Sequence, residues 1–240
     1  MPENRHITII PQLLDQLSGL TIADSLKLLA GKFPGQVTFS SSFGSEDQVI
    51  SDHIFSNQIQ ISVFTLDTGR LFPETYSLWN STREKYEATI RAYLPDSRLL
   101  EPFLEEKGPN AFYESVTNRK TCCHIRKVEP LQRALKGQAV WVTGLRSAHS
   151  PERGDLQQVE WDDTNKIIKY HPLFHWTTPQ VMEYLHARNV PYNPLHDKGF
   201  ISIGCAPCTR AVKEGENFRA GRWWWEDAEK KECGLHTHST

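Results

Sequence analysis

Apolar positions follow two alternating rhythms along this chain. Between residues 11 and 31 leucines recur at helical spacing, at Leu13, Leu14, Leu17, Leu20, Leu26, Leu28 and Leu29, which predicts one or two amphipathic helices. The rhythm then tightens. "QVTFSSSF" (36–43) and "IQISVFTLDTG" (59–69) are short apolar runs closing in small polar residues. They predict buried strands, the first leading into a helix from about Glu46 to Phe55 and the second into one from about Pro73 to Tyr86. "ATIRAYLP" (88–95), "AVWVTGL" (139–145) and "NKIIKYHPLF" (165–174) predict further strands. "TTPQVMEYLHARNV" (177–190) predicts a helix capped by Thr177 or Thr178, with Pro179 in its first turn.

Strands alternating with helices imply an α/β fold, a mainly parallel sheet flanked by helices on both faces. Ligands of such sheets bind beyond the carboxyl ends of the strands. Three polar strand ends therefore mark the expected site: "SSSFGSED", "LDTGR" and "TGLRS".

Composition narrows the picture. The chain has 240 residues, 38% hydrophobic and 23% charged, with a formal net charge of −2. That is enough for a sizeable core, and it offers no global field to attract nucleic acid or an anionic membrane. An anionic ligand must be held by a local cluster of Lys and Arg. No apolar run reaches the length of a membrane span, and the first residues lack a signal-peptide core. The expectation is a cytoplasmic protein, where patterned cysteines mean metal or catalysis more often than disulfides.

Each strand end has two readings. In "SSSFGSED" Gly44 lets the backbone approach a ligand or take a positive φ, and the serine hydroxyls and first-turn N–H groups suit phosphate-like oxygens. The plainer reading is a tight turn with Ser42 or Ser45 as helix cap. In "LDTGRLFPET" Asp67 is either an acceptor for a ribose or base, or the head of an Asx turn. "GLRSAHSPERGDL" (144–156) carries Arg146 and Arg153, which are solvated or form an anion clamp.

The cysteines sharpen the reading. Four of the five form pairs, Cys122–Cys123 in "RKTCCHIRKVEPL" and Cys205/Cys208 in "GCAPCTR". Cys-x-x-Cys suits a metal, a cluster or a redox disulfide. Adjacent cysteines point about 100° apart on a helix, so joint ligation needs a distorted backbone or a multi-atom target. An iron–sulfur cube fits that need better than one zinc ion; zinc and plain buried thiols stay open. Arg126 and Lys127 follow within one turn. Cys233 stands alone in "GRWWWEDAEKKECGLHTH", three residues before His236 and near Arg219 and Arg222. An accessible thiol among cations is a candidate nucleophile.

Together, "SSFGSEDQV", "LDTGRLFPET", "CCHIRKVEPL", "GCAPCTR", "GRWWWE" and "ECGLH" resemble the sulfonucleotide (APS/PAPS) reductase family, most closely its assimilatory, thioredoxin-dependent adenylylsulfate branch. The resemblance spans about residues 36–238. It implies an adenine-nucleotide α-hydrolase-like, PP-loop-related fold with residues 1–222 as the sulfonucleotide-binding domain and 223–240 as a mobile tail. It implies reduction of adenylyl sulfate (APS) to sulfite and AMP through a Cys-S-sulfonate on Cys233, resolved by thioredoxin or glutaredoxin. Cys122, Cys123, Cys205 and Cys208 would hold a [4Fe–4S] cluster that does not itself pass electrons. Substrate would be held by Ser42, Phe43, Gly44, Ser45, Glu46 and Asp47 of the first loop and Leu66, Asp67, Thr68 and Gly69 of the second. Lys127, Arg146, Arg219, Arg222 and His236 would meet the phosphosulfate.

Two departures qualify the match. "SFGSED" is not the loop of ATP pyrophosphatases, which argues against ATP hydrolysis. Phe72 stands where many adenylylsulfate enzymes have His, which leaves the 3′-phosphorylated substrate (PAPS) open as the alternative, while the four paired cysteines favour APS. A tRNA-thiolating enzyme would want an intact pyrophosphatase loop and a basic face. A zinc-bearing nucleotide sensor would give Cys233 no role.

Overall fold

The computed structural model describes residues 5–149, 156–226 and 235. Helices α1 (Arg5–Leu17) and α2 (Ile22–Lys32) resolve the leucine stripe into two. Leu13, Leu17, Leu26 and Leu29 are buried, and Thr21 caps α2 by accepting from Asp24 N. Six strands form one sheet: β1 (Val37–Ser40), β2 (Ser62–Leu66), β3 (Arg91–Tyr93), β4 (Val140–Val142), β5 (Val159–Asp162) and β6 (Ile167–Tyr170), in the order β3-β2-β1-β4-β6-β5. All pairs are parallel except β5 with β6.

The chain runs outward from β1 through β2 to β3, then returns to lay β4 on the other side of β1. That reversal opens a crevice at the carboxyl ends of β1 and β4, where ligands of open α/β sheets bind. Between the strands lie α3 (Ser45–Ser56), α4 (Pro73–Tyr86), α5 (Ser97–Lys107), α6 (Val116–Cys123), α7 (Glu129–Leu135) and, after β6, α8 (Thr178–Ala187). Phe39, Val49, Ile50, Val140, Val142, Leu173 and Val181 belong to the main core, and Phe64, Leu131, Leu135, Trp141 and Ile167 to a second.

Several expectations need adjusting. The strand expected over 88–95 shrinks to three residues at the sheet edge. Strand β5 was not foreseen; its Glu160 and Asp162 interrupt any apolar run, but Asp162 lies against buried Lys169 of β6 at 2.8 Å. The helix after residue 177 has Thr177 as cap, in a capping box with Gln180. The boundary proposed at 223 falls too early. Trp223 is 1% exposed, its N–H donates to Cys208 O at 3.1 Å, and Glu226 forms a buried ion pair with Arg119 at 2.7 Å, so residues 223–226 belong to the body. Among the described residues no helix is long and apolar enough to cross a membrane.

Candidate active site

The loop after β1 turns sharply into α3. Gly44, the N-cap, has φ −68°; the positive φ falls instead on Phe43, at 60°. A bulky residue there costs about 1–3 kcal/mol. Burial of its ring, stacked on Trp79 at 5.8 Å, and a 3.2 Å bond from its N–H to Ser41 Oγ hold it in place. Asp47 reaches back from the first turn and accepts from Ser42 N and Ser42 Oγ, both at 2.7 Å. Burial pushes the Asp47 carboxyl up to about 6 against these bonds. Gly144, after β4, is needed because a Cβ there would meet Asp47 Oδ1.

A cavity of about 270 Å³ opens above these strand ends. Of the expected substrate residues, Ser42, Gly44, Glu46, Asp47, Leu66, Thr68, Lys127, Arg219 and Arg222 line it. Five do not. Phe43 is core, and Ser45 directs its hydroxyl to Glu46. Asp67 and Gly69 form the Asx turn, with Gly69 N donating to Asp67 Oδ1 at 2.9 Å and Tyr76 OH donating to the same oxygen at 2.7 Å. Arg146 is a buried strut, not an anion clamp. Its guanidinium donates to Glu46 Oε1 (2.9 Å), Trp176 O (2.8 Å) and Thr178 Oγ1 (2.9 Å). Cys233, His236 and Arg153 lie outside the described residues.

The four paired cysteines meet beside this cavity. They line one small pocket of about 20 Å³ together with Arg70, Arg119, Arg126 and Lys127. Helix α6 delivers Cys122 and Cys123 at its last turn, and the backbone then widens into a π-helical turn over His124–Val128, closed by Glu129 N donating to His124 O. Pro130 lacks the N–H that would bond back to Arg126 O, which favours the wider turn. The distortion sought at the adjacent cysteines thus follows directly after them. The Cys205–Cys208 turn is held by Ala206 N on Arg70 O (2.8 Å) and Tyr113 OH on Pro207 O (2.7 Å).

Electrostatics differ between the thiols. Burial raises the Cys205 thiol, but Lys127, the Thr68 hydroxyl 3.3 Å away, Arg222 and Arg126 outweigh it and bring it below its ordinary value. Burial, aided by Cys205, pushes Cys208 up to about 12, and burial raises Cys122. Thr68 and Lys127 join the two pockets: Lys127 lines both, and Thr68 O accepts from Arg126 Nη1 at 2.6 Å. Arg222 folds over the Trp223 ring at 4.7 Å and presses so close to Gly204 that a Cβ there would strike its guanidinium. Sequence reasoning missed the cavity residues His196 and Ser202–Gly204. Adjacency to "GCAPC" is the one signal for Ser202–Gly204, and His196 carries none. Leu235 also lines the cavity and packs on the second core.

A parallel sheet, a cavity at its switch point, a serine-rich first loop and an adjoining wall of cations and thiols define a nucleotide-binding α/β domain built for an anionic ligand. Residues 36–211 match the phosphoadenosine phosphosulfate reductase domain, and the chain belongs to that family. It is similar to an adenosine 5′-phosphosulfate reductase of Sinorhizobium fredii (47% identical, covering 93% of this chain and 89% of the relative). It is also similar to one of Allochromatium vinosum (47%, covering 83% and 78%). Among solved structures it is similar to phosphoadenylyl-sulfate (PAPS) reductase from Candida auris in a phosphate complex. That match has a TM-score of 0.71 and 31% identity, and covers 85% of this chain and 96% of that one. Candida glabrata FMN adenylyltransferase, at 17% identity and TM-score 0.53 over 95% of this chain and 76% of that one, shares the fold.

Proposed function

We propose that this protein reduces adenylyl sulfate to sulfite and AMP, using Cys233 as nucleophile and an external dithiol protein, thioredoxin or glutaredoxin, as reductant in the cytoplasm. The cavity wall carries the reading. Lys127, Arg219 and Arg222 line it, and so does Leu235, two positions beyond Cys233. The names of the bacterial relatives support the same substrate.

The chemistry follows from charge. Phosphate and sulfate are both anionic, so a thiolate cannot approach the sulfur unless cations offset the repulsion. Lys127, Arg219 and Arg222 supply that offset locally in a chain that is slightly acidic overall. The Cys233 thiolate attacks the sulfur. The bond from sulfur to the bridging oxygen breaks, and AMP leaves with the electron pair. A thiolate of the reductant then attacks Cys233 Sγ, and sulfite departs with the S–S electron pair. The second thiol closes the reductant's disulfide and frees Cys233. Two electrons thus pass from the dithiol to the sulfonyl sulfur.

Cys122, Cys123, Cys205 and Cys208 would hold the [4Fe–4S] cluster. The donor set suits it: four thiols converge on one pocket ringed by Arg70, Arg119, Arg126 and Lys127. When bound, the cluster supplies a fixed charged body beside the cavity rather than electrons. Incubating the purified protein with ³⁵S-labelled APS without reductant should trap label on Cys233, and Cys233→Ser should retain nucleotide binding but release no sulfite. Label on another residue, or turnover by the Ser variant, would refute the assignment.

A further inference from the structure

His196 is a cavity residue with an unmet hydrogen-bonding atom. It opens a short turn, His196–Lys198, closed by Phe200 N on Leu195 O at 3.1 Å, with Gly199 at φ +82°. Its Nδ1 lies 2.8 Å from Phe200 O. A carbonyl only accepts, so Nδ1 carries the proton, and in the neutral ring Nε2 is a bare acceptor. Nε2 is buried with no hydrogen-bond partner among the described residues, on a side chain that lines the cavity. Burial lowers the imidazole pKa despite Glu46 and Asp197, which keeps the ring neutral.

A buried acceptor left unsatisfied destabilises the fold, so this atom awaits a donor. The two carboxylates of the lining already have partners, Glu46 in Arg146 and Asp47 in Ser42. On the ligand, phosphate and sulfate oxygens at neutral pH only accept. Its donors are the ribose hydroxyls and the exocyclic adenine amine. We propose that His196 Nε2 accepts a hydrogen bond from the nucleoside half of the substrate, either a ribose hydroxyl or the adenine amine, and so is a recognition residue for that half. The inference rests on the sulfonucleotide reading above.

Two complementary substitutions separate recognition from turn-building. His196→Asn keeps an amide near Nδ1 for Phe200 O but deletes the Nε2 acceptor; His196→Gln keeps an acceptor near Nε2 but gives up the Phe200 bond. Calorimetric affinities of the full-length protein would be measured for AMP, inosine monophosphate, 2′-deoxy-AMP and 3′-deoxy-AMP. The wild type should favour AMP over one of the three analogues by about tenfold, the size of one good hydrogen bond. That analogue identifies the donor. Asn should lose this preference with an unfolding midpoint near wild type, whereas Gln should keep the preference and unfold earlier. Wild-type ratios in the Asn variant, or a lost preference in Gln, would overturn the proposal. A wild type that binds none of the four nucleotides would overturn the sulfonucleotide reading along with it.

Discussion

Asp47 shows how one side chain sets the behaviour of the site. Its carboxyl is pushed up to about 6 because burial outweighs two short bonds from Ser42. A folded-state value raised above the ordinary 3.8 contributes stability that is complete below pH 3.8 and lost as pH rises through 6. Above that, the buried charge costs folding on the order of 3 kcal/mol. Asp47→Asn, which still offers Ser42 an acceptor, should therefore unfold at higher urea concentration than wild type at pH 8, and the gap should close by pH 4. A gap that stays constant with pH would show that Asp47 is not charged at pH 8 or is well solvated. Such detail was only half legible beforehand. The serine loop announced a special turn, but glycine drew the positive φ to itself on paper, while burial of the Phe43 ring assigned it elsewhere. Arg146 looked like a ligand because an arginine beyond a strand end usually faces solvent or substrate; only the fold brings Glu46, Trp176 and Thr178 around it.

Among the elements, the parallel strands and their helices were readable, because continuous apolar runs and polar strand ends are local signals. What escaped was made of distant partners. Strand β5 carries carboxylates that become buriable only against Lys169. Helix α6 was not expected, and it buries Arg119 completely. That arginine ties the cysteine helix to the last turn before the tail. It donates to Glu226 through Nε (2.9 Å) and Nη2 (2.7 Å) and lies 4.8 Å over the Trp223 ring. Both partners are shielded, at 0% and 3% side-chain exposure. Removing one partner of a buried pair costs about 3–5 kcal/mol. Glu226→Gln should lower the urea midpoint by the corresponding amount with the slope unchanged. A loss below about 0.5 kcal/mol would mean water or another group reaches Arg119 and that the pair adds little.

Across the whole molecule the charge balance is close to even, yet the cavity is not. Lys127, Arg219 and Arg222 enter its lining, Lys127 from the cysteine side, while Glu46 and Asp47 enter from the β1 loop. Under the proposed function the phosphosulfate meets the cations, which leaves the nucleoside to face the carboxylates. A 3′-phosphate on the ribose would bring up to two further negative charges. Under that reading the lining cations serve the phosphosulfate, and Arg146 offsets Glu46 through their 2.8 Å ion pair, so the opposing charge is that of Asp47. Like charges brought together in a partly desolvated cavity oppose binding by about 1–3 kcal/mol. APS should therefore be preferred over PAPS by at least tenfold in kcat/KM at pH 8 and low salt. Added salt should narrow the ratio, because screening weakens repulsion as well as attraction. Asp47→Asn, which removes one carboxylate charge, should narrow it too. Steady-state sulfite release on both nucleotides, run with the same reductant, measures all three effects. Equal rates for the two nucleotides would place the ribose away from the carboxylates and reverse the orientation argued for the ligand.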